Sequence, residues 1–147
     1  MNTVFLPSYS VGSDVYNQIP KVCGAYGKTA VVIGGKTAIS KAKDALLAGV
    51  HNSNIEIIDF IWYGGDSTYA NIKKLAQNPQ FQKADMVFAV GGGRAIDTCK
   101  TLCDMENKPV FSFPTIASNC FMMMKLMASK NYIFLKKALY IALSIQK

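Results

Sequence analysis

The 147-residue chain is most informative first for what it has little of. It holds one arginine, one histidine, no long acidic, basic or proline-rich tract and no internal repeat. Charged residues make up 17% and hydrophobic residues 50%, a balance that excludes a disordered chain. The opening Met1-Asn2-Thr3-Val4-Phe5-Leu6-Pro7 has no basic stretch followed by an apolar one, so no signal peptide is expected. Cys23, Cys99, Cys103 and Cys120 match no disulfide framework and no CxxC pair, which points to a reducing, cytoplasmic setting. Cys99 and Cys103 are four apart and can share a helix face. Two thiols make a poor metal site, so both are read as core residues.

The formal charge of +7 invites a nucleic-acid reading, and its distribution argues against one. Residues 1–120 carry 11 basic and 9 acidic side chains, a net of +2. Residues 121–147 carry five lysines and no acid. A nucleic-acid face needs arginine and aromatic contacts interleaved on a folded surface, and one arginine cannot supply it. The apolar stretch 132–145 is interrupted by Lys136 and Lys137, and a bilayer span needs about 20 apolar residues. No membrane span is expected. The tail is read as a strand and helix packed on the rest, with a basic amphipathic surface helix as the alternative.

What is present is an alternation of strand-like and helix-like stretches. Ser13 can cap a helix over about 14–25, with Pro20 as a kink or second start and Gly27 at its close. Thr29–Ile33 is wholly apolar after its first residue, as a strand buried on both faces should be. Residues 37–48 place Ile39, Ala42 and Leu46 on one helical face, and Gly49 ends that helix. Residues 55–61 read as the next strand. A helix over about 68–77 follows, capped by Asp66 or Ser67, with Tyr69, Ile72 and Ala76 as its apolar stripe and Asn78-Pro79 as its stop. Met86–Val90 is a buried strand. A helix over about 94–104 turns Ile96, Cys99 and Cys103 inward, and 109–113 is a last clear strand. This order predicts an α/β fold, a Rossmann-like, mostly parallel sheet with helices on both faces and right-handed crossovers. Ligands then bind beyond the carboxyl ends of the strands, where the strand order reverses.

Gly91-Gly92-Gly93 stands between a buried strand and a helix. Glycines there permit positive φ and let a ligand approach the backbone. The helix start offers free N–H groups and a positive dipole end, which suit a pyrophosphate. Arg94 can add a guanidinium to a phosphate oxygen. Asp97, expected in the first helical turn and within reach of Lys100, is read as structural. Thr115, Ile116, Ala117 and Ser118 follow the next strand and so leave the sheet at the same edge. Their small and hydroxyl-bearing side chains suit a wall against a ribose or nicotinamide, and ordinary turn chemistry explains Thr115 and Ser118 equally.

The blocks Ala89–Lys100 and Phe113–Cys120 together resemble the glycerol dehydrogenase branch of the iron-containing alcohol dehydrogenases. The opening Pro7–Gly12 and the strand at Thr29–Ile33 look like that family too, so the resemblance covers about residues 5–120. It implies the N-terminal domain of the glycerol dehydrogenase and dehydroquinate synthase-like fold. It also implies NAD-dependent, metal-assisted oxidation of a small alcohol or polyol. By resemblance, Gly91, Gly92, Gly93, Arg94 and Ala95 hold the cofactor pyrophosphate, and Thr115, Ile116, Ala117 and Ser118 contact the cofactor. The family usually has lysine where Arg94 stands. Some members hold the adenosine ribose with an aspartate where Gly35 stands here, next to Lys36, so NADP is a second cofactor to consider beside NAD. Some place a substrate-contacting aspartate where Cys120 stands.

The resemblance further implies two domains, of which residues 1–120 correspond to the dinucleotide-binding one. The family's helical second domain supplies an aspartate and two histidines to zinc or iron, and no such ligand set is found here. The only histidine, His51, falls in a predicted loop and reads as solvated. No catalytic or metal residue is therefore nominated. Residues 121–147 depart from the family at a methionine run, Met122-Met123-Met124, and are read as an atypical, frame-shifted tail. The expectation is a truncated cofactor-binding domain, inactive alone, able to form a homo-oligomer. The alternatives are a non-catalytic nucleotide-binding module or remnant, and a sugar-phosphate-binding domain.

Overall fold

The structure is a computed structural model in which residues 9–10, 15–114 and 139–141 are described. Its strands are β1 (Tyr9–Ser10), β2 (Thr29–Gly34), β3 (Glu56–Trp62), β4 (Met86–Gly91), β5 (Val110–Pro114) and β6 (Leu139–Ile141). Its α-helices are α1 (Ile19–Cys23), α2 (Lys36–Val50), α3 (Tyr69–Ala76), α4 (Pro79–Lys83) and α5 (Gly93–Glu106). The strands form one sheet in the order β1-β6-β5-β4-β2-β3, and every pair is parallel. This is the Rossmann-like α/β arrangement that the alternating pattern predicts.

Successive residues of a strand point to opposite faces, and the two cores divide accordingly. Ala30, Val32, Met86, Phe88, Phe111 and Phe113 face α1 and α2, where they pack with Ile19, Cys23, Ala42 and Leu46. Val31, Ile33, Val87 and Ala89 face α3, α4 and α5, where they pack with Ile72, Leu75, Phe81, Ile96, Cys99 and Cys103. β2 and β4 are buried on both faces, hence their unbroken apolar runs. β3 is the half-buried edge.

Several local expectations are corrected. Gly49 does not end α2; it lies inside it, where a Cβ would stand 2.6 Å from the Tyr16 carbonyl oxygen. Its value is close packing rather than termination. Tyr69 is 74% exposed, so the buried stripe of α3 is Ile72 and Leu75. The cap of α3 is Thr68, whose hydroxyl accepts from the Asn71 N–H at 3.3 Å, not Asp66 or Ser67. Asn78-Pro79 stops α3 and also starts α4. The Asn78 side chain accepts from the Gln80 and Phe81 N–H groups, and proline occupies the first turn. Pro20 marks a second start: a 3-10 turn at Val15–Gln18 precedes α1. The proposed cap Ser13 lies outside the described residues, as does most of the tail, which contributes β6. Among the described residues no helix is long and apolar enough to cross a membrane.

At the amino edge of the sheet Asp85 ties β2 to β4. Its carboxylate accepts from the Lys28 N–H at 2.8 Å and the Thr29 N–H at 3.1 Å. Its own N–H donates to Thr29 Oγ1 at 3.0 Å. The two backbone bonds, Lys28 first, favour the charged carboxylate and hold its pKa below the usual aspartate value.

Two outcomes follow from this packing. Phe88 is fully buried and meets Phe111 and Phe113 edge-on at 6.0 and 5.4 Å. Phe88→Ala should cost about 3–5 kcal/mol in urea unfolding; a loss under about 1 kcal/mol would contradict this core. Because the folded pKa of Asp85 is depressed, its stabilisation is complete above the unfolded pKa of about 4 and fades as pH falls through the lower folded value. Asp85→Asn should therefore flatten the acid limb of a Tm-versus-pH curve, leaving the curve near neutrality with the same shape.

Candidate functional site

The strand order sets the site. β2 is followed through α2 by β3 on one side, while the next strand, β4, pairs on the other side of β2. The order therefore reverses between β2 and β4, and their carboxyl ends face a cleft of about 700 Å³. That size falls within the range of small-molecule sites. The end of β2 contributes Gly35, Lys36, Thr37, Ala38 and Lys41. The end of β4 contributes Gly91, Gly92, Gly93, Arg94 and Ala95, and the end of β3 contributes Trp62 and Tyr63.

The glycines in this cleft are not equivalent. A Cβ on Gly34 would collide with the Val90 carbonyl oxygen, so glycine is required for β2 and β4 to lie this close. Gly91 has φ +137°, a conformation that L side chains rarely adopt, and a Cβ there would stand 3.2 Å from that of Ala95. Gly92 and Gly93 face open space: a Cβ on either meets nothing within 4 Å. Gly92 is extended, with φ −87° and ψ −170°. The fold explains glycine at 34 and 91; it does not explain glycine at 92 and 93.

Two helices begin at the cleft. α2 starts after Gly35 and α5 after Gly92, both caps are extended, and neither makes a side-chain cap hydrogen bond. Neither helix has an acid in its first turn. Each N-terminus presents roughly half a positive charge through its N–H groups. Lys36, Lys41 and Arg94 add three cations, and among the described residues no carboxylate lines the cleft. All three side chains are exposed at its rim. Lys36 Nζ lies 4.2 Å from the centroid of the Trp62 ring, a cation–π contact. The cleft is built to attract an anion.

The residues nominated from sequence divide in two. Gly91, Gly92, Gly93, Arg94 and Ala95 come together at the cleft. Thr115, Ile116, Ala117 and Ser118 lie outside the described residues. Pro114, which precedes them, is registered beside Gly91 at the same sheet edge. Asp97 is the fifth residue of α5, because the helix begins at Gly93, and so lies beyond the first turn. Thr37, Ala38, Lys41, Trp62 and Tyr63 were not singled out in the sequence. The parallel order carries the signal that would have found them, since it brings the end of each strand to one edge.

Cys99 and Cys103 are fully buried, and burial pushes both thiols well above their usual pKa. The Cys99 thiol faces the Ile33 carbonyl at 3.7 Å. Both are core residues, as the sequence implied. Among the described residues no group of three or more His, Cys, Asp and Glu could hold a metal ion. His51 caps the far end of α2, about 22 Å along the helix from the cleft.

Comparison with known proteins agrees with this geometry. The family model for iron-containing alcohol dehydrogenases matches residues 7–131, past the Cys120 limit of the sequence motifs. A glycerol-1-phosphate dehydrogenase [NAD(P)+] of Thermoplasma volcanium is 28% identical over 111 residues, covering 74% of this chain and 31% of that protein. A glycerol dehydrogenase of Escherichia coli is 24% identical over 110 residues, covering 75% and 30%. The crystal structure of the NADH-dependent butanol dehydrogenase A of Thermotoga maritima superposes with a TM-score of 0.73 at 16% identity, covering 96% of this chain and 44% of that one. The chain thus spans about 30% of the length of these curated relatives.

The unequal glycines are directly testable. Gly34→Ala should cost about 3 kcal/mol by forcing β2 from β4. Gly92→Ala should shift the unfolding midpoint by less than about 0.5 kcal/mol. Equal losses at the two positions would mean that the space beside Gly92 is not free.

Proposed function

The chain belongs to the iron-containing alcohol dehydrogenase family, and from that premise we propose that the cleft is the cofactor site of an NAD(P)-dependent oxidoreductase of the glycerol dehydrogenase kind. Residues 1–120 form the dinucleotide-binding unit, and the substrate is a small alcohol or polyol. One observation carries the reading: the glycine turn Gly91–Gly93 opens α5 where the strand order reverses, with Gly92 and Gly93 facing unfilled space. Dinucleotides bind at such a reversal, with the pyrophosphate at a helix N-terminus.

Each residue then has a task. The Gly91–Gly93 backbone admits the pyrophosphate to contact distance, and the first N–H groups of α5 donate to it. Arg94 neutralises phosphate charge from the rim, and buried Ala95 keeps the turn against the sheet. Thr115, Ile116, Ala117 and Ser118 form the wall beside the ribose and nicotinamide. The bound dinucleotide would supply a hydride acceptor for the alcohol carbon. The residues described fit that group: the cleft has the size, the open glycines and the positive potential for it. They do not fit the family metal, for which no ligand cluster exists among them, and no metal-assisted step is assigned to them. Self-association of the chain belongs to the same proposal.

Calorimetric titration of the folded protein with NAD and NADP tests the reading. Saturable binding of at least one is expected. Arg94→Ala should weaken it about tenfold, by removing one charge-assisted contact. Gly92→Val should weaken it further while the protein stays folded. No binding of either dinucleotide by intact folded protein would overturn the assignment.

A further inference from the structure

The link from β3 into α3 leaves the sheet at one wall of the cleft, and a side chain outside the cleft sets its shape. Trp62 and Tyr63 line the cleft, while Gly64, Gly65 and Asp66 carry the chain away from it. Gly64 has φ +101° and Gly65 has φ +84°, so the bend runs through two conformations that L side chains rarely adopt. Gly65 folds back on the indole: a Cβ there would stand 3.1 Å from Trp62 Cζ2. The Tyr63 N–H donates to the Gly34 carbonyl at 3.0 Å, which ties the start of the link to the end of β2.

Asn71 ties down the rest. It is the third residue of α3, whose cap is Thr68. A side chain at that place usually serves its own helix, reaching back to the N–H of the cap. The Asn71 side chain serves the link instead. Its amide nitrogen donates to the carbonyl oxygens of Tyr63 and, at 2.7 Å, of Asp66. A primary amide carries two protons on one nitrogen, so one group holds both sides of the bend. The amide lies against Gly64, where any Cβ would collide with it. Aspartate, ionised at neutral pH, has no proton to give, and alanine has no donor, so neither can make this pair of bonds. Asn71 itself lies outside the residues that line the cleft.

We propose that Asn71 is a positioning residue for the dinucleotide: by clamping Tyr63 and Asp66 it holds the Gly64–Gly65 bend against Trp62 and so sets that ring as the β3 wall of the cleft. This rests on the reading of the cleft as a dinucleotide site. Without the clamp the wall is in its binding position for only a fraction of the time, and affinity falls by that fraction. The loss is common to NAD and NADP, since Asn71 touches neither.

Trp62 is the chain's one tryptophan, so its fluorescence reports on this wall alone. The experiment compares Asn71→Ala and Asn71→Asp with Asn78→Ala in the 147-residue protein. Asn78 is the control, because its side chain also makes two hydrogen bonds to main chain, but at the start of α4 and away from the cleft. All three substitutions should lower the urea midpoint. Only those at Asn71 should move Trp62 emission to the red and raise its quenching by acrylamide. They alone should weaken NAD and NADP binding, by a common factor of about five. Asn71→Asp keeps the shape and loses the protons, so it should bind no better than Asn71→Ala. Gly65→Ala leaves Asn71 in place and presses on the indole, and it should change emission and affinity as well. In Trp62→Ala protein, followed by calorimetry, adding Asn71→Ala should weaken binding by less than about twofold.

Unchanged emission and affinity in folded Asn71→Ala would overturn the proposal. So would unchanged behaviour of Asn71→Asp, which would reduce the residue to packing beside Gly64. An undiminished loss in the Trp62→Ala background would overturn the route through that ring. If the Asn71 variants do not fold, Gly65→Ala decides by the same two readouts. If neither dinucleotide binds the unsubstituted protein, the cofactor reading falls and the positioning of a dinucleotide falls with it. A red shift in Asn71→Ala would then still uphold the hold of Asn71 on Trp62, and its absence would overturn that too.

Discussion

The parallel pairing of β2 with β4 is the constraint on which the rest depends. The two strands are in register from Ala30 opposite Met86 to Gly34 opposite Val90. At the carboxyl end the approach is so close that only glycine fits at residue 34. At the amino end Asp85 bridges the starts of both strands. Because the pair is parallel, both strand ends emerge at one edge. Because β3 lies on one side of β2 and β4 on the other, the chain leaves that edge in two directions. The cleft is the gap between those departures.

Topology also dictates the electrostatics. In a parallel sheet each crossover helix starts where a strand ends, so α2 and α5 aim their N-termini at the same gap. Their field adds to that of Lys36, Lys41 and Arg94. These like charges can coexist at the rim because they are exposed and screened by salt, with a Debye length of about 8 Å at physiological ionic strength. An anion that enters relieves their mutual repulsion as well as gaining their attraction.

The layers of the fold were legible because burial leaves plain marks. Thr29–Ile33 and Met86–Val90 are apolar runs too short for helices, and both proved to be central strands. The glycine turn was legible because strand, glycines and helix are adjacent in the chain. Errors arose where a residue's role depends on a distant neighbour. Gly49 looked like a stop signal, yet its small size serves the Tyr16 backbone more than thirty residues earlier. Tyr69 has the right spacing for a buried stripe, yet its place at the first turn of α3 leaves it exposed. The second flank of the cleft was missed for the same reason. Trp62 and Lys41 are far apart in sequence and come to line one cleft only after β2 and β3 pair.

The outer strands carry a consequence for the order of assembly. Tyr9 pairs with Tyr140 and Ser10 with Ile141, while β6 also pairs with Phe111 and Ser112 of β5. Pairing across so much sequence is entropically slow, since a long loop must close before it is rewarded. During synthesis β2, β3, β4 and β5 can pair as they emerge. β1, although made first, has no strand partner among the described residues until β6, ending at residue 141, exists. Until then the edge of β5 stays open, and a growing chain on one ribosome presents an unpaired strand to its neighbours. Among the described strands, the sheet is thus finished at the side it was begun, by the last of them to be made.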